Sequence, residues 1–207
     1  PYFSGKVPAP YKHNLIEQAK LVKKKYEFGI AFDADGDRIS VIDESGEIYD
    51  CNYIFPVIYN YFLSKGYKGD IVKNTALSNL AKIIAEKNGY KCYETKDGFK
   101  HIGKILESTN AFLGGESNGI SFKEHIYSKD GIMVAFLLVD YLSTQKDSFK
   151  ESLKKIQKKY DFKSEVVEYA YPITDEQKQK ITKLVFEDKK LPLTKMKMIS
   201  TVEIIFI

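Results

Sequence analysis

Short apolar runs rich in β-branched and aromatic residues alternate with helix-patterned segments through the middle of the chain. A helical pattern over YIFPVIYNYFLSKG comes first. Three strand-like runs follow, each with a helix-patterned segment after it: DIVKN with LSNLAKIIAEKNG, YKCYE with GFKHIGKILES, and AFLGG with the strongly apolar DGIMVAFLLVDYLS. Parallel strands need such crossover segments, because each strand must start again from the same edge of the sheet. The pattern predicts an α/β fold with a mixed, mostly parallel sheet flanked by helices. The last of these helices is apolar enough that we expect it to be sandwiched against the sheet.

Three predicted helix starts carry capping signals. Asn14 with Glu17, and Thr174 with Gln177, have the spacing of a capping box. Asp130 precedes the strongly apolar helix, and aspartate is a favoured N-cap residue. We expect all three side chains to bond the free amides of the first helical turn.

The character of the sequence changes near residues 50 and 162. After 162, DFKSEVVEYAYPI resembles an extended linker and TDEQKQKITKLVFEDKKLP a separate helix. We therefore expect three parts: residues 1–50, a central domain over 51–162, and residues 163–207. Because the sequence starts at Pro1 and stops on the strand-like STVEIIFI, we also expect it to be a fragment of a longer protein.

Composition narrows the class of protein. The net charge of the 207 residues is only +4, and the lysines are dispersed, which favours a solvated surface over a nucleic-acid site. No apolar run approaches the roughly 18 residues of a membrane span, and no signal peptide is visible. Cys51 and Cys92 lack metal-ligand spacing and read as buried free thiols of a reducing compartment. We expect a cytoplasmic protein that binds neither nucleic acid nor membrane.

The acidic stretch FDADGDR is the strongest chemical signal in the chain. Asp33, Asp35 and Asp37 occupy alternate positions after a β-prone run that we expect to be a buried strand, and Arg38 follows directly. In an extended segment such residues point to one side, and close carboxylates repel one another unless a cation lies between them. Oxygen ligands suit Mg²⁺, Mn²⁺ or Ca²⁺, and a neighbouring guanidinium suits a phosphate. The stretch predicts a divalent metal site connected with phosphoryl chemistry.

Three other interpretations of the acidic stretch remain open. In an EF-hand, Glu44 would supply the last ligand, but Arg38 occupies the position that requires glycine. In a phosphatase with an aspartate nucleophile, Asp33 would attack and Asp35 would act as the acid. In the simplest case the stretch is an acidic turn that binds no metal.

Two further loops lie where predicted strands end, which is where open α/β sheets bind ligands. In TKDGFKHIG, Gly98 opens a helix and Lys100 lies in its first turn, so amides and a cation favour an anion. In LGGESNGI, glycines flank Glu116, Ser117 and Asn118, whose short polar groups can bond sugar hydroxyls. Taken alone these signals are weak, because many helices begin in the first way and the second loop could be a simple polar turn.

A third loop, EHIYSKDGI, precedes the apolar helix. His125 and Lys129 would lie at the mouth of the same edge. Either residue alone is weak evidence for a site, because histidines and lysines often have purely structural roles.

Taken together and in order, these segments resemble the α-D-phosphohexomutases, the phosphoglucomutase and phosphomannomutase family. The matching segments are DADGDR, GFKHIG, GGESNG and HIYSKDGI, with PYFSGKVPAP before them and DEQKQKITKLVFEDKKLP after them. The resemblance implies parts of a four-domain enzyme: the end of domain II, a complete domain III and the start of domain IV. Members of the family move phosphate between the 1- and 6-positions of a hexose through a phosphoserine and a bisphosphorylated intermediate.

The resemblance also implies roles for individual residues. Mg²⁺ would be bound by Asp33, Asp35 and Asp37; Arg38, Lys100, His125 and Lys129 would act on the phosphates as catalytic residues; Gly98, Glu116, Ser117 and Asn118 would bind the substrate. Its partners would be hexose phosphates: glucose or mannose 1- and 6-phosphate and glucose 1,6-bisphosphate.

The sequence departs from the family pattern at several points. It contains no TASHN-like serine loop and no RxSGTEP-like phosphate loop, so we expect the chain by itself to be inactive. Asn118 replaces a serine of the sugar loop, and Asp97 stands where the family has a small or apolar residue. A module that binds metal or sugar phosphate without turnover is the alternative.

Overall fold

The computed structural model describes residues 5, 7–163 and 172–187. The chain divides into two compact units, Pro1–Ser164 and Glu165–Ile207. Within the described ranges, no helix combines the length and apolarity needed to cross a membrane.

The first unit contains seven strands, six α-helices and a short 3-10 helix (Lys12–Asn14) among its described residues. The strands are β1 (Phe28–Phe32), β2 (Ile39–Asp43), β3 (Ile48–Tyr49), β4 (Asp70–Asn74), β5 (Cys92–Thr95), β6 (Ala111–Glu116) and β7 (Gly119–Phe122). The helices are α1 (Ile16–Lys25), α2 (Cys51–Ser64), α3 (Asn79–Lys87), α4 (Phe99–Ser108), α5 (Gly131–Thr144) and α6 (Phe149–Lys159).

The first sheet is antiparallel, with the order β1-β2-β3. Its hairpin pairs Phe28 with Asp43 and Phe32 with Ile39, so the acidic stretch is the loop that joins β1 to β2. β2 is buried along its length, whereas β1 is only half-buried. The predicted strand before the acidic loop is therefore present, but it is half-buried rather than buried.

Helix α1 covers this sheet, but the predicted capping box at its start was wrong. Leu15 is the N-cap residue and makes no side-chain cap. The Asn14 amide instead donates to the carbonyl oxygens of Val7 and Ala9, at 3.0 and 2.9 Å. Asparagine side chains compete readily for nearby backbone groups, and here the preceding segment outcompetes the helix.

The second sheet has the order β5-β4-β6-β7. β4 pairs in parallel with β5 and β6, and β7 returns antiparallel to β6. This confirms the predicted mixed, mostly parallel sheet. β7 was not expected, since its residues lie in the segment interpreted as a polar loop.

Helices cover both faces of β4. Ile71 lies in the main core, which runs without a break from β2 through α2, α3, α5 and α6. Val72 points to the opposite face, where it packs with residues of α4 and β6. Alternation along a strand buried on both faces explains why DIVKN carries no amphipathic pattern.

Helix α5 is more exposed than expected, and helix α6 was not predicted. α5 begins at the predicted Asp130 cap, whose Oδ1 accepts the amide of Met133 at 2.9 Å. One side of α5 is nevertheless open, and Phe136 is 69% exposed, so the helix is not sandwiched. α6 was not predicted, although Ser148 and Glu151 form a complete capping box at its start.

Both cysteines are free. Cys51 is fully buried, as expected, whereas Cys92 is only partly buried on the sheet-edge strand β5.

In the second unit, α7 (Asp175–Thr182) carries the predicted capping box between Thr174 and Gln177. A π-helical turn over Lys183–Glu187 continues it. The predicted linker falls mostly on residues 164–171, which lie outside the described residues.

Parallel pairing places the carboxyl ends of β4, β5 and β6 at one edge of the second sheet. The loops that follow these strands therefore meet there. This edge contains most of the residues singled out in the sequence.

Candidate functional site

The three aspartates of the β1–β2 loop converge. Asp33, Asp35 and Asp37 each offer a carboxylate oxygen, and these oxygens all lie within 4.8 Å of one another. The convergence comes from a bend at residues 34–36 rather than from strand alternation. Gly36 has φ +76°, which only glycine adopts without strain. The predicted cluster is thus present, built by a different backbone geometry.

Arg38 fixes the innermost carboxylate. Its Nε lies 2.5 Å from Asp33 Oδ2 and its backbone amide donates to Oδ1 at 3.1 Å. The Asp33 side chain is only 1% exposed. Burial alone would raise the pKa of Asp33. The hydrogen bonds and the charge of Arg38 lower it by more, so the net pKa lies below the ordinary value. Asp33 is therefore held ionised.

Asp37 links the acidic loop to the second sheet through Lys129. Lys129 Nζ lies 3.1 Å from Asp37 Oδ2 and 3.4 Å from Glu116 Oε1. Burial would lower the pKa of Lys129, but the two carboxylates raise it above the ordinary value. A single half-buried cation thus joins two carboxylates that belong to different sheets.

Glu116 ends β6 and is 9% exposed. Burial is the main cause that raises its pKa, and the negative charges of Asp97 and Asp37 add to it, while Lys129 opposes the shift. Charged carboxylates are seldom buried this deeply without full hydrogen bonding. The site therefore keeps a carboxylate at a cost in folding stability.

Close contacts hold the acidic loop against the start of α5 and the β7 strand against Lys129. The amide of Gly131, at the start of α5, donates to the Gly36 carbonyl oxygen at 3.0 Å. A Cβ at Gly131 would lie 2.7 Å from that oxygen, and one at Gly119 would lie 2.1 Å from Cδ of Lys129. Both glycines are required by proximity, one to the acidic loop and the other to the bridging lysine.

After Glu116 the chain runs away from this edge of the sheet along β7, and the loop that follows β7 brings it back to Lys129. The Asp130 amide donates to the Ile120 carbonyl at 3.0 Å, which brings the loop back beside β7. His125 Nε2 lies 2.7 Å from Asp130 Oδ2. His125 thus contacts the α5 cap, one residue from Lys129, rather than the acidic loop or Glu116.

The start of α4 lies at the same edge of the second sheet, after β5. Gly98 is the N-cap of α4 and makes no side-chain cap. Its φ of +105° is a backbone conformation that favours glycine. Lys100 is exposed in the first turn, and the described residues give it no ion pair. Free amides and an unpaired ammonium group leave this corner suited to an anion.

Ser117 and Asn118 form a two-residue turn between Glu116 and Gly119. The Ser117 carbonyl accepts the amide of Cys51 at 3.1 Å, which ties the turn to the start of α2. Asn118 Oδ1 is buried and has no hydrogen-bond partner among the described residues. A buried acceptor without a donor is unusual, and a ligand donor would satisfy it.

Sequence reasoning missed a buried polar group beneath this edge. Lys73 is fully buried and donates to the carbonyls of Asn74 and Leu77, at 3.0 and 2.9 Å. Asn74 Nδ2 donates to Asp97 Oδ1 at 2.7 Å. A lysine and an asparagine at the end of an apolar strand normally face water, so the only available signal was their position beside the predicted ligand loops.

The geometry removes the EF-hand interpretation. Glu44 follows β2, so a five-residue strand, about 14 Å long, separates it from the acidic loop. Strands rather than helices flank the aspartates. Glu44 cannot complete a coordination sphere with them.

The comparisons with known proteins agree with the fold. The family model described as phosphoglucomutase/phosphomannomutase, alpha/beta/alpha domain III, matches residues 50–160, over half of the chain. The chain belongs to this family of α-D-phosphohexomutases. The resemblance drawn from the four loop motifs is therefore confirmed at the level of the family.

Individual relatives of this phosphohexomutase chain carry related names. A phosphoglucomutase/phosphomannomutase of Thermococcus kodakarensis is 32% identical over 165 residues, covering 79% of this chain and 36% of that protein. A phosphoglucosamine mutase of Bacillus subtilis is 31% identical over 149 residues, covering 70% of this chain and 33% of that protein. The chain thus spans about a third of the length of these relatives.

A solved structure gives the same result for the fold. The crystal structure of a putative phosphomannomutase from Thermus thermophilus superposes with a TM-score of 0.73 at 27% identity, covering 76% of this chain and 37% of that one.

The raised pKa of Glu116 predicts a stability gain on its neutralisation. Below the unfolded pKa of 4.5 both states are protonated, and as pH rises above it the unfolded state ionises more readily than the folded one. Glu116→Gln should therefore raise the melting temperature at pH 7, by about 2 °C, since a chain of this length gains about 2–4 °C per kcal/mol. The gain should vanish near pH 4.

Thermal unfolding at both pH values checks this prediction. Glu107→Gln, at an exposed position of α4, is the control for the loss of one charge. A Glu116→Gln variant that melts lower than wild type at pH 7, or gains equally at pH 4, would contradict the burial cost.

Proposed function

We propose that this chain supplies the metal-binding and sugar-binding parts of a magnesium-dependent phosphohexomutase. The observation that carries the proposal is the Lys129 bridge, which joins the acidic loop to Glu116 at 3.1 and 3.4 Å. A metal site and a sugar-binding carboxylate separated by one lysine provide the two functions that a sugar phosphate requires.

The acidic loop fits a hard divalent cation. Its three donors are carboxylate oxygens already within 4.8 Å of one another, and Asp35 is exposed to solvent. Mg²⁺ prefers oxygen ligands and retains water or phosphate at its other positions. Asp33, Asp35 and Asp37 would hold it, and when bound it would neutralise charge on a phosphoryl group.

The remaining side chains act on the phosphates and the sugar. Arg38 and Lys129 lie beside the acidic loop, where they offset the charge of a phosphate, and Lys100 with the amides after Gly98 binds a second anion. Phosphoryl transfer depends mainly on such positioning and charge stabilisation. His125 contacts the Asp130 cap and so supports the loop that carries Lys129.

The sugar ring is recognised by the turn after β6. Glu116 accepts hydroxyl hydrogens, and Ser117 and Asn118 lie beside it in the turn. The buried Oδ1 of Asn118 lacks a donor among the described residues, which makes it a candidate acceptor for a further sugar hydroxyl.

The reaction proposed for the whole protein is the interconversion of hexose 1-phosphate and hexose 6-phosphate in the cytoplasm. It proceeds through a phosphoserine and a bisphosphate such as glucose 1,6-bisphosphate, with glucose or mannose phosphates as substrates. Residues 1–50 correspond to the end of domain II, 51–162 to domain III, and 163–207 to a linker and the start of domain IV.

The geometry argues against a phosphatase with Asp33 as nucleophile. Both oxygens of Asp33 accept hydrogen bonds from Arg38, which reduces their nucleophilicity but leaves lone pairs for a metal ion. A nucleophile needs an exposed oxygen aimed at the phosphorus atom. Asp33 is therefore better placed to hold a metal ion than to attack a phosphate.

Metal binding should depend on the acidic loop. Asp35→Asn removes the charge of one exposed donor and should weaken Mg²⁺ binding at least about tenfold, since a hard cation loses one of three anionic ligands. Isothermal titration calorimetry measures the change. Glu44→Gln, at an exposed position beyond β2, removes an equal charge and should leave the affinity unchanged. Equal Mg²⁺ affinity in wild type and Asp35→Asn would refute the assignment.

The 207-residue chain alone should not convert glucose 1-phosphate to glucose 6-phosphate. The family's donor serine loop and its distal phosphate loop have no counterpart in this sequence, so neither the phosphoryl donor nor one phosphate site is present. A coupled assay for glucose 6-phosphate, with glucose 1,6-bisphosphate added, checks this. Turnover above that of the Asp33→Asn variant would show that the chain supplies its own donor.

A further inference from the structure

Asp97 lies at the edge of the candidate site. It follows β5 and directly precedes Gly98, the N-cap of α4. β4 separates β5 from β6 in the sheet, so Asp97 and Glu116 follow strands that flank the end of β4. Adjacent strands are about 4.8 Å apart, which places the two strand ends about 10 Å apart.

Asn74, the last residue of β4, draws Asp97 towards the middle of this edge. Its Nδ2 donates to Asp97 Oδ1 at 2.7 Å, and its Oδ1 accepts the amide of Leu77 at 3.0 Å. Asn74 is only 1% exposed; its bond to Leu77 is buried and its bond to Asp97 is partly buried. The Asp97 carboxylate is therefore fixed above the end of β4, between β5 and β6.

Lys73 makes this arrangement rigid. Its fully buried ammonium group donates to the carbonyls of Asn74 and Leu77, which closes the turn that follows β4. A buried lysine persists only where such partners compensate for its desolvation. The turn that holds Asn74 is thus set by buried polar contacts rather than by a mobile loop.

The charge of Asp97 reaches Glu116. It contributes to the raised pKa of Glu116, after the larger effect of burial. The cation beside Glu116 is Lys129, and Asp37 shares it. The sugar-binding carboxylate is therefore less fully neutralised than its ion pair alone suggests.

We propose that Asp97, positioned by Asn74, is a specificity-determining residue that favours a sugar phosphate with an ammonium group on its ring over the neutral hexose phosphate. This inference rests on the proposed function of the same site and adds amino-sugar phosphates to the hexose phosphates proposed as its substrates. Two neighbouring carboxylates attract a cation, whereas a hydroxyl group gains only a hydrogen bond. The buried acceptor Oδ1 of Asn118, two residues beyond Glu116, suits the additional N–H donors of an ammonium group.

The test compares glucosamine 6-phosphate with glucose 6-phosphate on the 207-residue chain. Amide shifts of the Gly98 and Glu116 loops, followed by NMR at pH 7 with Mg²⁺ present, give a dissociation constant for each sugar. We expect wild type to bind the amino sugar at least about threefold more tightly, the scale of one partly exposed charge pair.

Three variants separate specificity from structural damage. Asp97→Asn keeps an acceptor for Asn74 but removes the charge, and should bring the ratio of the two affinities close to one. Asn74→Ala releases Asp97 and should also lower the ratio. Glu107→Gln, at an exposed position of α4, should leave the ratio at the wild-type value. A general loss of structure would weaken both sugars alike and would not change the ratio.

The possible results distinguish this inference from the proposed function. Saturable binding of both sugars with equal affinity, or a preference that Asp97→Asn leaves intact, overturns the inference but not the proposed function. If neither sugar phosphate shifts the loop amides, both fail.

Discussion

The ion pairs of Lys129 with Asp37 and Glu116 determine how the parts of the candidate site fit together. One of the two carboxylates lies in a loop of the antiparallel sheet and the other at the end of a strand in the mixed sheet. Their mutual repulsion is acceptable only because a half-buried ammonium group lies between them. Gly131 and Gly119 are glycines because the acidic loop and the Lys129 side chain approach them too closely for a Cβ.

Hydrogen bonds at the ends of helices and strands hold the loops around this bridge in place. The amide of Cys51 donates to the turn after β6, Asn74 holds the loop that precedes α4, and Asp130 caps the helix that follows Lys129. All of these contacts come from ends of regular elements rather than from long loops. Functional groups on such ends are placed more accurately than groups on mobile segments. Burial of Glu116 is the accompanying cost in stability.

Much of the fold could be predicted, because it rests on local signals: strand–helix alternation, the Asp130 cap and the Thr174 capping box. The acidic loop also stood out, since three aspartates around a glycine have few structural explanations. The errors share a physical cause. Asn14 found tertiary backbone partners instead of capping its helix, and the burial of Lys73 depends on which strands surround β4. Neither pairing nor strand order can be deduced from a local pattern.

Coupling between the acidic loop and the turn after Glu116 is tested most directly by an NMR titration of the chain with Mg²⁺, in wild type and in Lys129→Met. In wild type we expect amide shifts both in residues 33–38 and in the turn after Glu116, because metal at Asp37 alters the charge on the shared lysine. In the variant, the shifts should be confined to residues 33–38. Shifts confined to that loop in wild type as well would contradict the account.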